Sequence, residues 1–225
     1  MAQTTSELWK QLLEMDHTII EYAHEINGVW YDADSETASS VSNDLFAEVG
    51  IGNANCAKLE LNIFAEEIPK GAQIKRYIRL KNGDTVSEWL PKGTYYANRR
   101  ANDDGYWTIE AFDAMLKTEQ DFLPATITDT WPRAMTEVAN DISTAIAVPI
   151  DARTYINPAY TLPMPVGYTM RQVLGHIAAA HGGNWIITAN EELCLVPLLS
   201  APAETSNLVT ERGQSILFGG VRIIV

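Results

Sequence analysis

Residues 168–198 read YTMRQVLGHIAAAHGGNWIITANEELCLVPL, and the fold is decided by how this stretch is taken. Thr169 and Gln172 have the spacing of a capping box, in which each side chain satisfies one orphan N–H at the start of a helix. Behind them Met170, Val173, Leu174, Ile177 and Ala178 recur at helical spacing and form one apolar stripe. Gly182 and Gly183 are expected to end the helix, because glycine enters the left-handed cap conformation without a Cβ clash. Trp185-Ile186-Ile187-Thr188, the polar turn Asn190-Glu191-Glu192 and Leu193-Cys194-Leu195-Val196 then read as a hairpin. Helix and hairpin each have one apolar face, and each can cover the other. The spacing predicts a packing unit and not a reaction centre.

Upstream, turn chemistry sets the reading. Thr4-Thr5-Ser6-Glu7 can cap a short helix carrying Leu8, Trp9, Leu12 and Leu13. Asn27-Gly28 separates Thr18–Ile26 from Val29-Trp30-Tyr31, and Asn-Gly favours the tight hairpin turn whose central residues both need positive φ. The polar, serine-rich run from Asp32 to Asp44 is expected to be a surface loop. Leu59, Leu61 and Ile63 alternate with Lys58, Glu60 and Asn62, as a half-buried strand requires. Further strands follow at Gln73–Leu80, within Glu88–Arg100 and at Tyr106–Phe112, joined by Asn82-Gly83-Asp84 and Asn102-Asp103-Asp104-Gly105. Short strands at this spacing indicate an antiparallel sheet or barrel.

Asp113 can cap a short helix over Ala114–Lys117, and Thr126–Asp129 reads as loop. Trp131-Pro132 is expected to open a second long helix, with Pro132 at its first position and Met135, Val138, Ala139, Ile142 and Ile146 as its stripe. Pro149, Pro158, Pro163 and Pro165 predict an irregular, rigid connector over 149–167. Residues 201–206 have a linker composition. The apolar run from Ile216 to Val225 reads as a strand that stops without a turn, suggesting a cut inside a larger protein.

Three blocks carry a resemblance. Arg171, Leu174, Ile177, Ala178, Gly182 and Gly183 match an R-x-x-L-x-x-I-A-x-x-x-G-G segment ahead of a strand pair, with Asn184-Trp185 opening the first strand. Val49-Gly50-Ile51-Gly52-Asn53-Ala54 resembles a V-G-N-A lead into the 58–64 strand. WTIEAFDAMLKTEQDF, with Lys92-Gly93-Thr94-Tyr95 before it, resembles a strand-to-helix exit carrying "DAMLK". In this order and spacing the blocks, which span about 45–198, resemble the N-terminal part of hub proteins of phage and prophage tails and baseplates. That family usually has glycine in the hairpin turn, where this chain has Asn190-Glu191-Glu192.

The resemblance implies an α+β fold: a tail-tube-like antiparallel β-barrel domain over 1–118, with its short N-terminal helix, and a small α/β domain over 119–200. Residues 201–225 would be a linker and the start of a further domain. It implies a structural, non-enzymatic part of the virion tail, assembled in the bacterial cytoplasm. Its partners would be itself, as a homotrimeric ring, and the tail tube, distal tail and tail-tip or fibre proteins, with DNA passing through unbound. The alternatives are the hub of a contractile injection system or, further off, a cell-wall-active or carbohydrate-binding protein.

Composition and motifs constrain the chemistry. The chain has 225 residues, 46% hydrophobic and 20% charged, enough to bury a core. No run of about 18 apolar residues is present, so no membrane insertion is expected; MAQTTSELWKQLLEMD carries charges where a signal peptide needs its apolar centre. With 16 basic and 29 acidic residues the formal net charge is −13, opposite to the basic footprint that nucleic-acid binding requires. That acidity serves either solubility or a negative wall past which DNA slides.

Cys56 and Cys194 are read as buried free thiols. The glycine-rich 49–54 run lacks the GKS or GKT of a phosphate loop and leads into a strand. His176 and His181 would point about 140° apart on a helix, and neither HExxH nor GxSxG occurs. Glu66-Glu67, Asp103-Asp104 and Glu191-Glu192 read as solvated turns. Trp9, Trp30, Trp89, Trp107, Trp131 and Trp185 fit core and interface positions better than a sugar site. No catalytic, cofactor-binding or metal-ligating residue is therefore assigned, and no cofactor is expected.

Overall fold

The alternation in 58–64 is realised as strand β4, Lys58–Phe64, with Leu59, Leu61 and Ile63 buried and Glu60 and Phe64 exposed. The computed structural model describes residues 5–32, 36–43, 50–123 and 130–198, and only the backbone of 36–37, 217–218 and 221–222. The Leu45–Val49 approach, the 126–129 loop, the 201–206 linker and most of the 216–225 run lie outside the described residues. Within that last run, Leu217–Phe218 pairs with Val221–Arg222.

Seven further strands join β4 in one antiparallel sheet: β1 Ile19–Ile26, β2 Val29–Tyr31, β3 Glu36–Ser42, β5 Gln73–Asn82, β6 Thr85–Val86, β7 Leu90–Asp103 and β8 Tyr106–Phe112. Their order is β2-β1-β5-β7-β8-β4-β3, with β6 on β5. The expected turns are in place. Asn27 and Gly28 have φ of 48° and 87°, and Asp104 and Gly105 have 50° and 85°. Register shifts at Thr37, Lys92 and Asn98 curl the sheet, because an unpaired extra residue bends its strand.

The α+β class holds, but the barrel is not closed by backbone hydrogen bonds among the described residues. The path ends at β2 and β3. The seam between β3 and β1 is bridged by side chains: Ser39 Oγ lies 3.2 Å from His24 Nε2 and accepts from Arg76 Nε at 3.3 Å. The loop expected over 32–44 is corrected as well, since most of it is β3, laddered to β4 from Glu36 to Ser42.

Helix α1, Glu7–Glu14, is capped by Ser6, whose Oγ accepts from Trp9 N at 3.0 Å. Trp9 and Leu12 are buried with Leu80 and Leu90, whereas Leu8 and Leu13 face solvent. A second cluster fills the sheet around Leu59, Leu61, Ile63, Ile74, Trp107 and Ile109. Fully burying one such Leu or Ile stabilises by about 1.5–3 kcal/mol.

The third cluster joins α2, Met135–Ile146, and α3, Met170–Ala180, to the hairpin of β11, Gly183–Ile187, and β12, Leu193–Pro197. Both apolar stripes read from the sequence are buried in it, together with Ala54, Met115 and Trp185. The capping box of Thr169 and Gln172 is formed. Helix α3 stops at Ala180, with Gly182 at φ 61°, and Gly183 already belongs to β11. Asp113 caps a 3₁₀ helix, Ala114–Glu119, accepting from Met115 N at 3.0 Å.

Helix α2 corrects a second expectation. It begins at Met135 and not at Pro132, and the Trp131-Pro132 peptide is cis. Arg133–Ala134 is strand β9, paired with β10, Thr161–Leu162, which is a short regular element inside the proline-rich connector. Met135 N donates to Tyr160 O at 2.9 Å. A chain segment 25 positions away therefore takes the place of a local cap.

Candidate functional site

The junction of the 50–55 loop with α3 and β11 gathers the motif residues of two of the three blocks. Asn184, only 2% exposed, clamps the loop at both ends: its Nδ2 donates to Gly50 O at 3.0 Å, and its Oδ1 accepts from Asn53 N at 2.8 Å. Gly52 N donates to Gly183 O, Trp185 N to Asn53 O, and Asn55 N to Trp185 O, at 2.8–3.0 Å. Ala54 thus pairs in parallel with Trp185, extending the hairpin by one strand-like segment.

Two glycines permit this approach. A Cβ on Gly175 would lie 2.7 Å from Gly52 O, and one on Gly52 would lie 2.8 Å from Ala179 Cβ. Arg171 completes the clamp, donating from Nε to Ala54 O at 2.7 Å and from Nη1 to Glu119. Trp185 Nε1 donates to Leu174 O at 2.9 Å beneath it.

An open cleft of about 390 Å³ lies over this junction, between Asn53, Asn55, Gln172 and His176. Arg171, which also lines it, is committed to Ala54 and Glu119, and the His176 ring stands edge-on to Tyr168 at 5.1 Å. A second cleft of about 300 Å³ lies between Tyr155, Tyr160 and His181. His181 Nε2 accepts from Asn157 N at 2.9 Å, so its Nδ1 carries the proton given to Ile177 O at 2.7 Å. His181 therefore ties the turn at Asn157 to α3, whereas His176 is exposed. Among the described residues no group of three or more His, Cys, Asp or Glu side chains is placed to hold a metal.

Buried Asp113 meets Cys56 where the sheet joins the 3₁₀ helix, and Cys56 is half-buried where the sequence predicts a buried thiol. Burial, then the Asp113 carboxylate, pushes the Cys56 thiol up to about 12, which leaves it protonated and unreactive. Burial also raises Asp113 from its ordinary value, opposed by N–H donors from Ala57 and Met115. Cys194 is a free, buried thiol on β12. Glu191, in the hairpin turn at φ 60°, is no bystander: its carboxylate accepts from Tyr96 OH and lies 3.8 Å from Lys117. Glu191 thereby ties the hairpin turn to β7.

Sequence reading placed Gly182, Gly183, Asn184 and the V-G-N-A segment in motifs without giving them partners. The pairing of Gly52 with Gly175 and the reach of Asn184 cross more than a hundred residues, and no local period announces them.

No family model matches the sequence, and no curated protein is significantly similar to it. Solved structures do match. The 43 kDa tail protein of prophage MuSo2 from Shewanella oneidensis superposes with a TM-score of 0.54 at 15% identity, over 84% of this chain and 59% of that one. A tail protein from Neisseria meningitidis MC58 superposes with a TM-score of 0.53 at 14% identity, over 84% of this chain and 57% of that one. The fold is that of prophage tail proteins. This chain spans less than two thirds of the length of either. In this chain the junction fastens the hairpin unit to the loop that leads into β4.

Proposed function

We propose that the chain is a structural, non-enzymatic component of a phage or prophage tail, placed at the tail tip or baseplate hub. Copies form a homotrimeric ring that closes or extends the tail tube and meets tube, distal tail and tip or fibre proteins. The reading is carried by the fold shared with the two prophage tail proteins over 84% of this chain. The junction geometry supports it, since Asn184 and Arg171 are committed to holding the 50–55 backbone.

The charge fits passage of DNA without grip. Duplex DNA carries one charge per about 1.7 Å, so a basic lining would hold it by counterion release. A lining drawn from a chain of net charge −13 does not, and salt screens the repulsion beyond about 8–10 Å. Light scattering on the full-length protein is expected to give a trimer or a multiple of three, with no duplex DNA binding near physiological salt. A stable full-length monomer, or sub-micromolar DNA affinity, would overturn the proposal.

A further inference from the structure

Two exposed aromatic groups lie on the outer face of the curled sheet, and their rims have opposite charge. On β1, β2 and β5, with Trp89 at the entry to β7, the Trp30 ring lies 5.0 Å from Tyr77 and 5.5 Å from Trp89. Trp30 is 43% exposed, and the Arg79 guanidinium stacks 4.4 Å from Trp89. The rim carries Lys75, Arg79 and Lys81 in ion pairs with Glu25 and Glu21 at 2.6–3.0 Å, three cations against two acids, with the acids the more buried members.

On β4 and β8, Phe64 and Tyr106 meet edge to face at 5.1 Å, with Phe64 53% exposed. Around them stand the exposed Glu66, Glu67, Asp103 and Asp104. These acids gather because Ala65 N donates to Gly105 O at 3.1 Å and Trp107 Nε1 donates to Ala65 O at 3.0 Å, tying the two turns together. Away from this knob Lys58 on β4 pairs with Glu60 and Glu110, and Arg99 on β7 with Glu110.

The two groups cannot meet within one chain. Strand β7 separates β5 from β8 in the sheet, and the sheet curls around its core, so their outer faces point apart. They can meet between copies. Trp, Tyr and Arg are the residues that dominate binding energy at interface centres, and complementary charged rims fix register and exclude wrong partners. For a chain of net charge −13, random approach of two copies is repulsive, and the basic rim is where approach is favoured.

We infer that the Trp30–Tyr77–Trp89 face of one copy docks on the Phe64–Tyr106 knob of the next. The contact is head-to-tail, the kind that closes a ring when its rotation permits. The inference rests on the ring reading above and adds the surfaces that make the ring.

The test places p-benzoylphenylalanine at position 30 of the full-length protein, irradiates the assembly and maps the intermolecular cross-links. Links into 64–67 or 103–106 are expected. Arg79→Glu should raise the concentration for half-assembly at least tenfold, and mixing it with the Glu66→Lys/Asp104→Lys variant should restore part of that loss. The rescue separates a lost contact from a lost fold. An assembly whose links from position 30 fall elsewhere, or which ignores both charge swaps, overturns this inference and leaves the ring standing. A protein that stays monomeric at all concentrations overturns both.

Discussion

Strand β12 exchanges backbone hydrogen bonds on both edges, whereas β3 does so on one among the described residues. On β12, one edge ladders with β11 and the other meets Pro149–Asp151, with Leu193 N donating to Pro149 O at 2.8 Å and Asp151 N to Leu193 O at 2.9 Å. On β3, one edge ladders with β4, and among the described residues the other reaches β1 and β5 through Ser39. The small hairpin thus meets main chain along both edges, with Asn184 and Thr154 side chains adding to it, and the large sheet has a seam held by side chains. Main-chain closure depends on shape and tolerates few substitutions at close approaches. Side-chain closure can be removed one group at a time.

The comparison breaks most visibly at Trp185. This side chain is fully buried in the helix–hairpin core and donates to Leu174 O. Trp185→Ala is expected to cost about 3–5 kcal/mol through lost transfer energy and the cavity left behind. Urea denaturation followed by circular dichroism measures this, and a loss below about 1 kcal/mol would mean that the hairpin unit does not rest on that core.

Next comes the glycine contact. Gly175→Ala gains about 1 kcal/mol of helix propensity, but its Cβ would sit 2.7 Å from the Gly52 carbonyl oxygen. Overpacking against backbone costs about 1–3 kcal/mol, so a net loss of up to about 2 kcal/mol is expected. Amide shifts in the 50–55 loop should accompany it. A more stable Gly175→Ala protein with an undisturbed loop would show that the junction is not tight.

What the sequence made legible follows the same division. Helices α1 and α3 show as periodic apolar residues behind local caps, and α2 and strand β4 as periodic apolar residues alone, because burial on one face imposes a period on the chain. Strand β3 has no such period. Its residues are ETASSVS, and only Val41 is large and apolar, so the strand exists through its ladder to β4 and not through its own preference. The start of α2 was hidden for a related reason: the bond to Tyr160 O replaces the local cap that a sequence can display. At the junction, the glycines and Asn184 were visible as residues, but their partners were not. The same applies to Glu191, whose left-handed turn conformation is offset by bonds to Tyr96 and Lys117 from distant elements.

The smallest effect belongs to the seam, and it tests the comparison most directly. Ser39 Oγ sits between His24 Nε2 and Arg76 Nε, and Ser39 itself is half-buried. Ser39→Ala removes both contacts and leaves no cavity of note. A typical hydrogen bond contributes about 0.5–1.5 kcal/mol net, and water at a half-buried site can replace part of that, so the global loss should be about 1 kcal/mol or less. The local consequence should be larger in proportion. With β3 tied on one edge only, its amides should exchange faster with solvent while those of β8 and β12 keep their protection, since local opening need not follow global stability. Hydrogen exchange at residues 38–42 is the measurement. Unchanged exchange there would mean that backbone pairing closes the seam in solution and that the sheet is a complete barrel. A loss spread evenly over the whole sheet would mean that Ser39 belongs to the core and that the two regions are closed alike.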